Sequence, residues 1–180
     1  RRVVATYRRL EQEWAAVPAA IGRTMDDFDQ YYTMSRRFDM QTSARNQFLG
    51  TVSAVKKGAV NAEVILDIGN GAELAAIITN DSADHLALEV GSEAYALVKA
   101  QWIILTVETN FKTSARNSLT GTVVRCQEGA VNAEVVIELP GGKTVASIIT
   151  NESVKTLGLK EGLRATAMIK ASHIILAVPA

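Results

Sequence analysis

From Gly50 onward the apolar positions of this chain mostly alternate with polar ones, the period-two pattern of strands half buried against a core. "GTVSAV" (50–55) reads as a strand, "AEVILDI" (62–68) as a second that turns at "GNG" (69–71), and "ELAAIIT" (73–79) as its hairpin partner. "EAYALVKA" (93–100) and "WIILTV" (102–107) read as two more. Between the third and fourth lies "NDSADHLAL" (80–88), which predicts one short helical turn capped by Asn80. The whole series then recurs as "GTVVRC" (121–126), "AEVVIEL" (133–139), "KTVASIIT" (143–150), "NESVKTLGL" (151–159, capped by Asn151), "RATAMIKA" (164–171) and "HIILAV" (173–178).

Thr42–Leu105 aligns with Thr113–Leu176 without a gap, and about half of the paired positions are identical, so the simplest reading is two copies of one unit. Each copy is short for an independent core, which predicts that the two pack on each other or on a second chain. Five strands with one short helix after the third fit a small OB-like barrel. A β-sandwich built from the same strands is the alternative.

Residues 1–41 follow another rhythm. Val3, Tyr7, Leu10, Trp14 and Val17 are spaced four, three, four and three, an apolar helical seam that Pro18 stops. Ile21, Met25, Phe28 and Tyr32 continue at helical spacing, with Thr24 as a cap ahead of Asp26 and Asp27. The first helix either lies on its own chain's β units or pairs with its twin in a dimer. Its pattern starts at Arg1 with no cap before it, which reads as part of something longer. The expected organisation is a helical segment (1–41), a first β unit (42–110) and a second (111–180). The expected fold class is mainly β: two tandem OB-like five-stranded barrels behind an N-terminal helical segment.

Composition narrows the function. The chain has 180 residues, 48% hydrophobic and 21% charged, with a formal net charge of zero. The segment up to Gln41 holds seven arginines against six acids and the remainder twelve Lys/Arg against thirteen. Neither part offers the broad positive field that nucleic-acid binders present to phosphate backbones. A single cysteine, Cys126, makes no intrachain disulfide, and no apolar run approaches a membrane span, so the sequence points to a cytoplasmic protein with no membrane association.

The candidate chemistry lies in a verbatim polar run, "TSARN", at 42–46 and again at 113–117. Cores can be refilled with many aliphatic combinations, so an identical polar run inside a looser repeat suggests that both copies meet the same polar object. The polar side chains common to both copies are mostly hydrogen-bond donors: the hydroxyls of Ser43/Ser114, Thr79/Thr150 and Ser82/Ser153, and the cations Arg45/Arg116 and Lys99/Lys170. Amides around Ala44/Ala115 and Ala100/Ala171 are unobstructed by large side chains. The only shared acid near a strand centre is Glu63/Glu134, and no histidine is shared, so no general base accompanies the hydroxyls and catalysis is not expected. His85, His173 and Cys126 align with Thr156, Trp102 and Val55, which leaves no recurring metal-ligand set. A Gly-rich phosphate loop is absent, and 6% aromatic residues with balanced charge do not make a single-strand nucleic-acid groove. Donors plus two cations suit an oxyanion that has no proton to give. Simple backbone capping explains the Ser/Thr positions but requires neither an arginine nor a lysine.

"TSARNQFLGTV" and "TSARNSLTGTV", with "IITNDS"/"IITNES" and "VKA"/"IKA" downstream, resemble the tandem Mop (molbindin) repeats that bind molybdate and tungstate. Such repeats occur in molybdate storage proteins and at the C-terminus of the ModE family of molybdate-responsive transcriptional regulators. "RRVVATYRRLEQEW", followed by an acidic connector and "MSRRFDMQTSARN", is similar to the ModE segment that joins a dimerisation helix to the first Mop unit. The resemblance implies a homodimer, with DNA contacted only through a winged helix-turn-helix domain outside these residues, and no cofactor, molybdate being the ligand. It implies sites between chains, with the Ser and Arg of one "TSARN" and a Lys facing the Thr and Ser of an "ITNxS" motif from another. Carried over, the first set is Ser43, Ala44, Arg45, Thr79, Ser82, Lys99 and Ala100. The second is Ser114, Ala115, Arg116, Thr150, Ser153, Lys170 and Ala171. Both copies keep every polar side chain, so both sets are expected to bind.

Overall fold

A computed structural model describes residues 42–108 and 112–179, which fall within one compact unit, Thr42–Ala180. The helices expected over residues 1–41 lie outside the described residues. Among the described residues, ten strands form two five-stranded antiparallel sheets. The first copy supplies β1 (Asn46–Lys57), β2 (Asn61–Asp67), β3 (Glu73–Thr79), β4 (Glu93–Val98) and β5 (Ile104–Thr106), and the second supplies β6 (Asn117–Glu128), β7 (Asn132–Glu138), β8 (Thr144–Thr150), β9 (Arg164–Ile169) and β10 (Ile175–Ala177). A short helix follows the third strand of each copy, α1 (Asn80–His85) and α2 (Asn151–Leu157). The plan agrees with the OB-like reading in strand number and in the position of the helix.

The sheet order is β10-β4-β1-β2-β3 in one sheet and β5-β9-β6-β7-β8 in the other. The fifth strand of each copy therefore completes the sheet of the other: Leu176 pairs with Ala96, and Leu105 with Ala167. This exchange answers the shortage of core in each copy. Phe48, Leu66 and Leu74 of the first copy and Ile137, Val145 and Ile169 of the second belong to one continuous buried cluster, to which Leu105 and Leu176 also belong.

Within each sheet the long first strand does the bending. β1 pairs with β4 over Asn46–Thr51 and with β2 over Thr51–Lys57, with a register shift between Val52 and Ala54. The counterpart in β6 lies between Val123 and Arg125. An irregularity of this kind increases local twist and lets one strand serve two neighbours that diverge. Gly50 and Gly121 stand just before it, where a Cβ would come 2.6 Å from the carbonyl oxygen of Asp67 and 2.1 Å from that of Glu138. Only a residue without a side chain fits so close to that backbone.

The caps differ from expectation. Thr79 and Thr150, one residue earlier than Asn80 and Asn151, cap α1 and α2: the backbone N–H groups of Ser82 and Ser153 donate to Thr79 Oγ1 and Thr150 Oγ1, each at 3.1 Å. The asparagines begin the helices and turn their side chains to the preceding hairpin, Asn80 Nδ2 donating to the Gly58 carbonyl at 3.0 Å and Asn151 Nδ2 to that of Gly129 at 2.9 Å. Threonine wins because it leaves the strand with extended backbone angles, as a cap must, while asparagine has a carbonyl within reach that needs a donor.

Candidate functional site

The two "TSARN" runs enter β1 and β6, and each is tied to the opposite copy. Asn46 and Asn117, both buried, hook the backbone of the other copy's third strand. Asn46 Oδ1 accepts from the Ala146 N–H at 2.7 Å and its Nδ2 donates to the Ala146 carbonyl at 2.8 Å. Asn117 makes the same pair of bonds to Ala75 at 2.7 and 2.9 Å. The last residue of the motif is thus a scaffold. Its partners are backbone atoms far away in the chain, and no local pattern announces them.

One step earlier, Arg45 pairs with Glu134 on β7 at 2.5 Å and Arg116 with Glu63 on β2 at 2.5 Å. The shared acid of the two copies is therefore the partner of the shared arginine, taken from the opposite copy. Glu134 holds Arg125 as well. Ser43 and Ser114 are exposed, whereas Ala44 is buried and Ala115 half-buried. The backbone N–H groups of Ala44 and Ala115 are turned back onto Thr42 Oγ1 and Thr113 Oγ1, at 3.2 and 3.1 Å.

Lys99 and Lys170 each open a single 3-10 turn, Ala100–Trp102 and Ala171–His173, in which Ala100 and Ala171 are buried. The turn after Lys99 packs on β8, the strand that ends in Thr150, and the turn after Lys170 packs on β3, which ends in Thr79. Thr79 and Ser82 share a hydrogen bond at 2.8 Å, as do Thr150 and Ser153. Thr79 and Ser82 border a cleft of about 550 Å³ whose opposite wall is Ile174, Ile175 and Leu176 of the second copy.

These placements sort the fourteen residues by copy. The elements bearing Ser43, Ala44, Arg45, Lys99 and Ala100 meet the second copy, where Thr150 and Ser153 reside, and those bearing Ser114, Ala115, Arg116, Lys170 and Ala171 meet the first, with Thr79 and Ser82. Among the described residues no hydrogen bond or ion pair joins Ser43, Arg45 or Lys99 to Thr79 or Ser82 of the same copy. The junction between copies holds the two arginine–glutamate pairs and the turns that follow the two lysines. Among the described residues no hydrogen bond joins the hydroxyls of Thr79, Ser82, Thr150 or Ser153 to either arginine or lysine, and no histidine or carboxylate at that junction is hydrogen-bonded to a serine. No group of three or more His, Cys, Asp or Glu that could hold a metal exists among the described residues. No helix among them is long and apolar enough to cross a membrane.

One pair that the alignment set apart as unlike is brought together in space. The rings of Trp102 and His173, equivalent positions of the two copies, lie 5.4 Å apart at 41°, and Lys99 Nζ lies 5.4 Å from the Trp102 ring. Their equivalence was legible in the repeat, but their contact follows only from the exchange of fifth strands.

Among known families, the TOBE domain matches residues 42–105 and 113–176. The chain is 40% identical over 183 residues to the molybdenum transport protein ModE of Azotobacter vinelandii, a match covering 99% of this chain and 68% of that protein. It is 44% identical over 141 residues to the molybdenum-pterin-binding protein MopA of Rhodobacter capsulatus, covering 78% of this chain and 53% of the relative. With the DNA-binding transcriptional dual regulator ModE of Escherichia coli K12 it shares 35% identity over 143 residues, again 78% and 53% of the two lengths. The chain thus spans about half to two thirds of the curated relatives it matches. Among solved structures, the cytoplasmic molybdate-binding protein ModG in a molybdate-bound form aligns with a TM-score of 0.76 at 53% identity, over 78% of this chain and 100% of that chain.

Proposed function

Because the chain belongs to the TOBE-domain family and, with it, to the ModE and Mop proteins, we propose that it is the molybdate-binding sensor region of a molybdenum-responsive transcriptional regulator. One observation carries the ligand: the entire chain of a ModG with molybdate bound aligns to this protein at 53% identity. The residues fit the chemistry. Tetrahedral molybdate carries two negative charges, which an arginine and a lysine balance, while hydroxyl and amide donors address its oxygens. The smaller sulfate leaves some of those donors unpaired, at about 1–3 kcal/mol for each stranded group. Tungstate matches molybdate in charge and shape and is expected to compete.

The proposed sites are formed by Ser43, Ala44, Arg45, Lys99 and Ala100 with their counterparts Ser114, Ala115, Arg116, Lys170 and Ala171, each completed by Thr and Ser of an "ITNxS" motif, Thr79 with Ser82 or Thr150 with Ser153. In a homodimer, a ligand that bridges chains binds the assembled form best. A coupling of about 1–3 kcal/mol is then enough to bias an attached DNA-binding domain. A regulator is favoured over a storage protein because the match to the Azotobacter ModE runs through 99% of this chain, residues 1–41 included.

Isothermal titration of the assembled protein with molybdate tests the reading. Saturable binding, weakened by replacing both Arg45 and Arg116 with alanine and absent with sulfate at the same concentration, is expected. A flat molybdate titration overturns it. Light scattering addresses the assembly: a dimer agrees with the regulator, and a trimer or hexamer with storage.

A further inference from the structure

Each candidate site arginine rests on a carboxylate that the oxyanion chemistry does not call for. Arg45 Nη2 lies 2.5 Å from Glu134 Oε2, and Arg116 Nη2 lies 2.5 Å from Glu63 Oε1. The contact is made twice, reciprocally, between β-strand carboxylates and the start of the other copy's first strand. Stability is a poor explanation. The arginine side chains are 63% and 57% exposed, and ion pairs with a partner so open to water contribute little to stability.

The geometry is better suited to orientation. Glu134 and Glu63 are the less exposed partners, at 17% and 31%, and both spring from the middle of a paired strand. They are fixed posts for a side chain that has several free torsions. A guanidinium has five N–H donors in a planar fork. The carboxylate engages Nη2, and most of the fork stays available to a second acceptor. Holding the cation in this way removes much of the rotamer entropy that an oxyanion would otherwise have to overcome. An anion at the junction then meets an arginine already in place.

We propose that Glu63 and Glu134 are positioning residues for the oxyanion sites, each holding the binding arginine of the other copy in the orientation that the ligand uses. This rests on the oxyanion reading above. It makes the two sites interdependent in construction, since each arginine is aimed by a strand of the opposite copy. Two neighbouring cations bear on the carboxylates: Arg125, which also pairs with Glu134, and Lys56, which stands across from Glu63 in the strand register.

The test compares the full chain with E63A/E134A and E63Q/E134Q variants, titrated with sodium molybdate, with ligand-free melting temperatures as the control for folding. The alanine variant is expected to bind at least about tenfold more weakly, the scale of losing one orienting charged hydrogen bond. Its ligand-free melting temperature falls by no more than about 8 °C, the upper end for losing surface pairs in a chain of this size, so the variant stays folded at the temperature of the titration. The glutamine variant keeps an acceptor oxygen and recovers most of the affinity. Unchanged or tighter binding by the alanine variant overturns the proposal, the latter meaning that the carboxylates compete with the ligand. Glutamine no better than alanine also overturns it. If the parent protein itself shows no molybdate binding, the oxyanion reading falls and this inference with it, whereas a binding parent with an unaffected alanine variant removes this inference alone.

Discussion

Asn46 and Ala146 exchange two hydrogen bonds across the junction of the copies, the amide oxygen accepting at 2.7 Å and the amide nitrogen donating at 2.8 Å, so that one side chain imitates a strand neighbour for β8. The same imitation recurs between Asn117 and Ala75. Asn46→Ala strands the Ala146 N–H and carbonyl in a part-buried place and Asn117→Ala strands those of Ala75 in a buried one, so the expected losses are about 1 and about 2 kcal/mol, within the usual range for unsatisfied groups. Urea unfolding of N46A and of N117A checks both. The double variant is expected to lose a different amount from the sum, because both bonds clamp one junction.

How far the sequence speaks is plain from the strands around that clamp. β2 was legible because Ala62, Val64 and Leu66 are buried while Asn61, Glu63 and Ile65 between them are not, the alternation a half-buried strand must show. The exchange of fifth strands was not. "IIL" occurs in both copies at the same offset, so either strand satisfies either sheet, and only the route of the chain decides which it joins. The capping threonines were hidden for a different reason. Thr79 and Asn80 are both good capping residues, and the choice depends on the Gly58 carbonyl, brought near by the β1–β2 hairpin. Glu63 and Glu134 stood out as a shared acid, yet the "TSARN" arginines that they hold are 53 and 89 positions away, beyond any local rule.

Ala87 and Gly158 occupy equivalent places after α1 and α2, and both have left-handed backbone, φ +47° and +60°. Glycine adopts that region without cost, and alanine does not. Ala87→Gly is therefore expected to change stability by only a few tenths of a kcal/mol or to raise it by up to about 1 kcal/mol, against the usual loss on introducing glycine. Gly158→Ala is expected to cost about 1 kcal/mol. Thermal melts of the two variants read the contrast directly.

Cys126 is a half-buried thiol whose pKa is raised, first by desolvation and then by the charges of Glu128 and Glu161. The thiolate is the reactive form, so alkylation at pH 8 is expected to be slower than for an unhindered thiol. Glu128→Gln removes one of the repelling charges, lowers the pKa and speeds the reaction. Rates of iodoacetamide modification against pH check both statements. The linkage has a definite sign: the fold keeps the proton longer than the unfolded chain does. Its stability is unaffected below the ordinary thiol range and falls as the pH rises from there toward the raised value.

Thr79 has two duties in the proposed mechanism, and substitution can separate them. Its Oγ1 accepts from the Ser82 N–H at 3.1 Å, closing the first turn of α1, and it shares a 2.8 Å hydrogen bond with Ser82 Oγ. An oxygen that accepts through its lone pairs still has its own proton to give, so an oxyanion can draw the Thr79 and Ser82 protons outward without opening the cap. Thr79→Ser preserves both functions, and its stability and molybdate affinity are expected to stay close to the parent's. Thr79→Ala loses the cap, at about 1 kcal/mol, and with it a donor to the ligand. Ser82→Ala spares the backbone N–H that the cap uses, so affinity is expected to fall by about fivefold or more while stability stays within about 0.5 kcal/mol of the parent. Urea unfolding and calorimetric titration of the three variants together decide the matter: if Ser82→Ala binds molybdate as the parent does, the hydroxyl pair is a helix cap and nothing else.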